Sequence, residues 1–142
     1  MGRTIEKSAL VEKVAENHNF ESIRNNDYKY GDLNIVIRSS SSLEQKGGFN
    51  VYFLGLTAAK VLKGNPEKLV VMFVLADETK IVYLPGKIAR EIFSKIPVTS
   101  EGEWKFLIRE RGSYLAIEST GLLAVKLTKY LNVKPWKTFS AQ

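Results

Sequence analysis

Cysteine is missing from this chain, so neither a disulfide framework nor a thiolate metal site can form. There is one histidine, His18, which excludes a zinc centre of the multi-histidine kind and leaves no credible Ser/His/Asp triad. No apolar run approaches the roughly 20 residues that a membrane-spanning helix needs. The opening MGRTIEKSAL has no apolar signal region, so a soluble, cytoplasmic protein is the expectation. The phosphate-binding spellings G-x-x-x-x-G-K and G-x-G-x-x-G are absent too. The 15 acids are scattered, and no carboxylate pair for glycoside chemistry stands out among them.

Basic charge is what the chain does have. Its 21 lysines and arginines exceed the acids by six, for a net charge of +6. Such a balance points to a polyanion, most often nucleic acid, or else to charge that only keeps a protein soluble. The distribution favours the first: after Glu118 come Lys126, Lys129, Lys134 and Lys137, and no acid. With 142 residues, 44% of them hydrophobic, residues 1–142 are expected to form one domain. A domain of this size buries about two-thirds of its unfolded surface.

Thr4 can cap a helix over about 4–17, with Glu6 in its first turn and Leu10, Val11, Val14 and Ala15 on one face. His18 at its end reads as a cap. A short strand follows over Phe20 to Arg24. Asn25-Asn26-Asp27 is turn chemistry, and Tyr28 to Gly31 leads into a strand that starts at Asp32. Thr57 to Leu62 reads as a helical turn carrying Lys60. Lys68 to Leu75 is the most apolar run and reads as a central strand, turned by Ala76 to Thr79 into a hairpin with Lys80 to Leu84. Pro85-Gly86 starts a second full helix, stopped by Pro97. Trp104, Phe106 and Ile108 alternate with Lys105, Leu107 and Arg109 in a further hairpin closed by Tyr114 to Glu118. Gly121 to Leu131 reads as a closing helix, with Leu123, Leu127, Tyr130 and Leu131 inward. Trp104 and Trp136 read as packing residues. This order predicts an α/β (α+β) domain with one mixed central sheet flanked by helices.

The stretch Gly31 to Thr57 reads as two strands around a polar connection. If it folds as a hairpin with Ser39 to Gly48 as its loop, antiparallel pairing sets Arg38 opposite Phe49 and Asp32 opposite Gly55. Its residues also spell a chemical pattern: an acid at a strand head, Asp32, then Glu44-x-Lys46. Metal-dependent nucleases hold Mg²⁺ through hard carboxylate oxygens and use a lysine to orient water or stabilise developing charge. Glu-x-Lys on a strand puts both side chains on one face. With an acid on the preceding helix (Glu6 or Glu12), residues from about Thr4 to Ile96 resemble the PD-(D/E)xK nuclease superfamily. That group includes restriction enzymes, Holliday-junction resolvases and small intron-encoded homing endonucleases.

The resemblance implies a restriction-endonuclease-like fold that hydrolyses phosphodiester bonds in double-stranded DNA. It places Mg²⁺ on Asp32 and Glu44, the lysine role on Lys46 and the helix acid on Glu6. Arg38, Lys60, Lys126, Lys129, Lys134 and Lys137 would contact phosphates, and Ser39 to Ser42 is a candidate for base readout. Cutting both strands requires two active sites, hence a homo-oligomer. Two readings compete with this one. A non-catalytic DNA-binding module on a β-rich scaffold would use Lys80 to Lys87 and the Trp104 hairpin as its surface. An assembly protein would set its basic surface against an acidic partner.

Overall fold

The apolar run Leu69–Val74 is buried at every position and forms an interior strand of a five-stranded sheet. A computed structural model of the chain describes residues 2–24, 27–40, 42–47, 49–119 and 122–136; the side chains of 2–8, 24, 42–46, 122 and 123 fall outside that description. In order, the elements are α1 (Gly2–Asn17), β1 (Glu21–Arg24), β2 (Asp27–Tyr30), β3 (Leu33–Ser39), β4 (Ser42–Lys46) and β5 (Phe49–Thr57). Next come α2 (Ala58–Leu62), a 3₁₀ turn (Pro66–Lys68), β6 (Leu69–Val74), β7 (Ile81–Pro85) and α3 (Gly86–Phe93). The chain continues through β8 (Glu103–Arg111), β9 (Tyr114–Ser119), β10 (Leu122–Lys126) and a second 3₁₀ turn (Thr128–Tyr130). The coarse α+β reading therefore holds, but the strands form two sheets, not one.

The first sheet has the order β1-β2-β3-β6-β7, with β3 and β6 parallel and every other pair antiparallel. The second is antiparallel throughout, in the order β10-β9-β8-β5-β4. Period-2 alternation makes the layering. Ile35 and Ile37 of β3, with Val70, Met72 and Val74 of β6, face Val11, Val14 and Ala15 of α1. On the other side of that sheet, Val36, Val71, Phe73, Val82 and Leu84 meet Tyr52, Leu54, Leu56, Trp104, Phe106 and Ile108 of the second sheet. α3 closes this core with Ala89, Ile92 and Phe93, whose ring stacks on Trp104 at 5.2 Å. The layers run helix, sheet, sheet. Loss of one such buried ring costs about 3–5 kcal/mol.

Three sequence expectations need correction. Residues 31–57 are not a hairpin: β3 pairs with β2 and β6, whereas β5 pairs with β4 and β8. The connection supplies its own strand, β4, and Gly47 at φ 54° turns it back into β5. The closing helix is absent, because Leu122–Lys126 is an edge strand on β9, with Val125 opposite Ile117. An unfilled sheet edge outweighs the modest helix propensity of Leu, Ala and Lys there. α1 begins at Gly2, two residues before the expected cap at Thr4.

Two details lock the layers. The N-terminus of α3 lies so close to the first 3₁₀ turn that a Cβ on Gly86 would sit 2.2 Å from the Pro66 carbonyl oxygen. His18 acts as the expected cap: its Nδ1 donates to the Val14 carbonyl at 2.7 Å. That donation leaves Nε2 of the neutral ring as acceptor for the Tyr83 hydroxyl, also at 2.7 Å. Burial pushes the Tyr83 hydroxyl up to about 12, so it remains a donor. No helix among the described residues is long and apolar enough to cross a membrane.

Candidate nucleic-acid interface

Asp32 follows Gly31, which turns β2 into β3 at φ 63°. Its exposed carboxylate pairs with the Lys68 ammonium, which holds the carboxyl below the usual carboxylate range. Glu44 pairs across β4 and β5 with Val51, and Lys46 with Phe49; both side chains, like that of Glu6 in α1, fall outside the described residues. Lys137 lies outside them entirely.

Asp32 stands at the head of β3, and Glu44 lies in β4, which the chain reaches after leaving the far end of β3. Asp32 precedes its first residue, and the seven residues of β3 carry the chain about 20 Å onward. Val51, the partner of Glu44, neighbours Tyr52, whose hydroxyl is 3.3 Å from Lys80 Nζ. Lys80 in turn is bonded through its backbone to Leu75, just past the Val74 that pairs with Ser39 at the far end of β3. Asp32 thus heads a strand of the first sheet, and Glu44 lies in an edge strand of the second. Among the described residues no group of three or more His, Asp or Glu side chains could hold a metal.

Arg38 and Lys60 do come together, around an acid that the sequence reading had put in a turn. Lys60 Nζ is 2.7 Å from Asp27 Oδ1. Half-buried Arg38 donates to its neighbour's carbonyl, Ile37 O, at 2.8 Å. Burial pulls its guanidinium below the usual range, and the carboxylates of Asp27 and Glu103 oppose that shift. Lys134 lies near His18, and its charge lowers the imidazole's proton affinity, as burial does more strongly.

The Lys80 to Lys87 segment is open mainly at its two lysines. Its strand, β7, is buried from Ile81 to Leu84, Lys80 turns to Glu110 and Lys87 pairs with Glu67. Glu110 accepts hydrogen bonds from Tyr52 (2.7 Å), Asn50 (3.1 Å) and Lys80 (3.0 Å). Burial works to raise its pKa, but these donors outweigh it and hold the carboxyl below its usual range.

What remains open is the outward face of the second sheet. Because Trp104, Phe106 and Ile108 point into the core, Lys105, Leu107, Arg109 and Arg111 of β8 point away from it. Asn50 pairs with Glu110, which sets Phe49 beside Arg111, and Arg111 pairs with Tyr114. Both guanidinium groups lie over the Phe49 ring, Arg109 at 5.3 Å and Arg111 at 5.2 Å from its centroid. The Lys126 ammonium lies 5.9 Å from the Tyr114 ring, which is 44% exposed. Arg109 is also held by Glu118 at 2.9 Å.

Lys126 carries this band around the sheet edge. With Lys95, Lys129 and Tyr130 it lines a groove of about 280 Å³ between α3 and β10, where Lys129 lies 5.2 Å from the Tyr130 ring. The surface therefore alternates cation and ring: Phe49, Arg111, Tyr114, Lys126, then Lys129 and Tyr130. Of these, charge in the sequence marks Lys126 and Lys129, and the Trp104 hairpin of the competing DNA-binding reading takes in Arg111 and Tyr114; Phe49 is not marked. Continued past Ile108, the inward alternation of Trp104, Phe106 and Ile108 puts Arg109 and Arg111 on the outward face. No family model, curated protein or solved structure matches this chain.

Proposed function

We propose that this domain is a non-catalytic nucleic-acid-binding module that works through the outward face of its second sheet. The observation that carries the reading is the cross-strand row Phe49–Arg111–Tyr114–Lys126, in which each ring lies against a cation. Arg111 and Lys126 are exposed. Cations supply the sequence-independent part of nucleic-acid affinity, and aromatic rings add contact with the bases. The net charge of +6 favours the same partner.

The test is a salt titration of binding to a labelled mixed-sequence DNA, followed by fluorescence anisotropy. Several phosphate contacts should make log Kd climb steeply with log salt concentration, by about 0.9 per contact on duplex and about 0.7 on single strand. Binding that is indifferent to salt, or absent at low salt, removes the reading.

A second reading keeps the hydrolytic chemistry: a Mg²⁺-dependent endonuclease of restriction-endonuclease-like fold acting on duplex DNA. One observation favours it, namely a helix packed on a mixed sheet in which the strand headed by Asp32 runs parallel to β6. Against it stands the assignment of the Asp32 strand and the Glu44 strand to different sheets. Adding Mg²⁺ to the same protein and a supercoiled plasmid separates the two readings, because metal-dependent nicking belongs only to the second.

A further inference from the structure

The proposed binding face has a feature that bears on which form of nucleic acid it takes. Its rings lie on the outward face of a sheet, on strands beside the β4–β5 and β8–β9 turns, and not on a helix. Phe49 and Tyr114 lie two strands apart, about 10 Å at the usual strand spacing. Tyr114 is 44% exposed, yet it already has a cation beside it in Lys126.

In a paired duplex the base faces are covered by their neighbours, and only base edges and phosphates are open to a protein. Rings on a flat surface then have nothing to stack on. An unpaired strand exposes base faces and can lay them on aromatic side chains while lysine and arginine follow the phosphates. α1 packs on the far side of the first sheet, and α3 has its apolar face in the core between the sheets.

We infer that the outward face of the second sheet binds an unpaired nucleic-acid strand, with a base stacked on the exposed Tyr114 and phosphates at Arg111, Lys126 and Lys129. This inference rests on the nucleic-acid reading above and specifies its ligand. The path runs across the strands, from the β4–β5 turn over β8 and β9 to the Lys95–Lys126–Lys129 groove. Arg109, neutralised by Glu118, positions the Phe49 ring and adds little net charge.

The experiment compares three end-labelled oligonucleotides of one length by fluorescence anisotropy: a mixed-sequence single strand, its duplex and a strand with abasic sites throughout. The full chain is measured as wild type, Tyr114→Ala and Tyr114→Phe, with circular dichroism to confirm the fold. The single strand should bind at least tenfold more tightly than the duplex. Tyr114→Ala should lose about tenfold on the single strand, the size of one stacked base, and change nothing on the abasic strand. Tyr114→Phe should keep wild-type affinity.

Equal affinity for single strand and duplex overturns the inference and leaves the nucleic-acid reading standing. A single-strand affinity that Tyr114→Ala leaves unchanged also overturns it, because the bases then stack elsewhere. Salt-sensitive binding to none of the three removes the inference and the reading together.

Discussion

Lys80 and Glu110 are joined across the two sheets, with Nζ 3.0 Å from Oε1, although 30 residues separate them in sequence. Lys80 leads into β7 of the first sheet, and Glu110 lies in β8 of the second. The Tyr52 hydroxyl completes the link at 2.7 Å from the same carboxylate oxygen. Glu110→Ala would leave the buried Tyr52 without its acceptor, and an unsatisfied buried hydroxyl costs about 1–3 kcal/mol. The expected result is a lower urea midpoint with an unchanged m-value. An unchanged midpoint would show that the link contributes nothing to stability.

The same carboxylate should make stability depend on acid. Its folded pKa is held below the unfolded value despite burial, so the folded state favours the ionised form. That contribution is complete above the unfolded carboxyl value, about 4.3, and is lost as pH falls through the folded one. Urea midpoints measured from pH 6 down to pH 3 should fall more steeply for wild type than for Glu110→Gln.

His18 acts in a higher window. Burial, and more weakly the Lys134 charge, lowers its pKa below 6.5, while its bond to Val14 opposes the shift. The folded protein therefore binds this proton less well than the unfolded chain does. Stability from the neutral ring is complete above pH 6.5 and is lost as pH drops through the folded value. Between pH 7.5 and pH 5 the wild-type midpoint should decline more than that of His18→Asn. Parallel curves would contradict the neutral, capping imidazole.

Gly86→Ala should be severe for a change of one methyl group. The added Cβ would lie 2.2 Å from Pro66 O and 2.8 Å from Leu69 Cβ, so α3 must move off the 3₁₀ turn. Forced overpacking of this kind costs about 1–3 kcal/mol. Calorimetry should find a Tm lower by several degrees, and an undiminished Tm would mean that the helix start has room to shift.

Arg111→Ala and Lys126→Ala together should lower the slope of log Kd against log salt by about 2 on duplex, with each removed phosphate contact counting for about 0.9. Asp32→Asn, at the head of β3, should leave both slope and affinity unchanged. The opposite pattern would move the interface to the Asp32 end of the first sheet.

Much of this fold was legible in the sequence. The all-apolar Leu69–Val74 could only be an interior strand, and the alternation of Trp104, Phe106 and Ile108 with Lys105, Leu107 and Arg109 defined a one-sided sheet. The alternation did not say what the apolar side packs against, and pairing partners far apart in sequence decided that. Leu122–Lys126 shows the limit more sharply, since its local preference is helical and only the open edge of β9 makes it a strand. For the candidate site, charge pointed to Lys126 and Lys129. Arg38 and Lys60 carry the same charge, but Lys60 pairs with Asp27 and Arg38 is half-buried, neither of which charge alone reveals.

The parallel pairing of β3 with β6 has a consequence for how the chain can come apart. Between them the polypeptide leaves the first sheet, lays down β4 and β5 in the second, and returns. Later it leaves again for β8, β9 and β10. Each sheet is thus stitched from two separate lengths of chain, and no single cut releases either one whole. The two sheets should melt as one unit, and a protease nick between β5 and β6 should leave both fragments bound together until the common core opens.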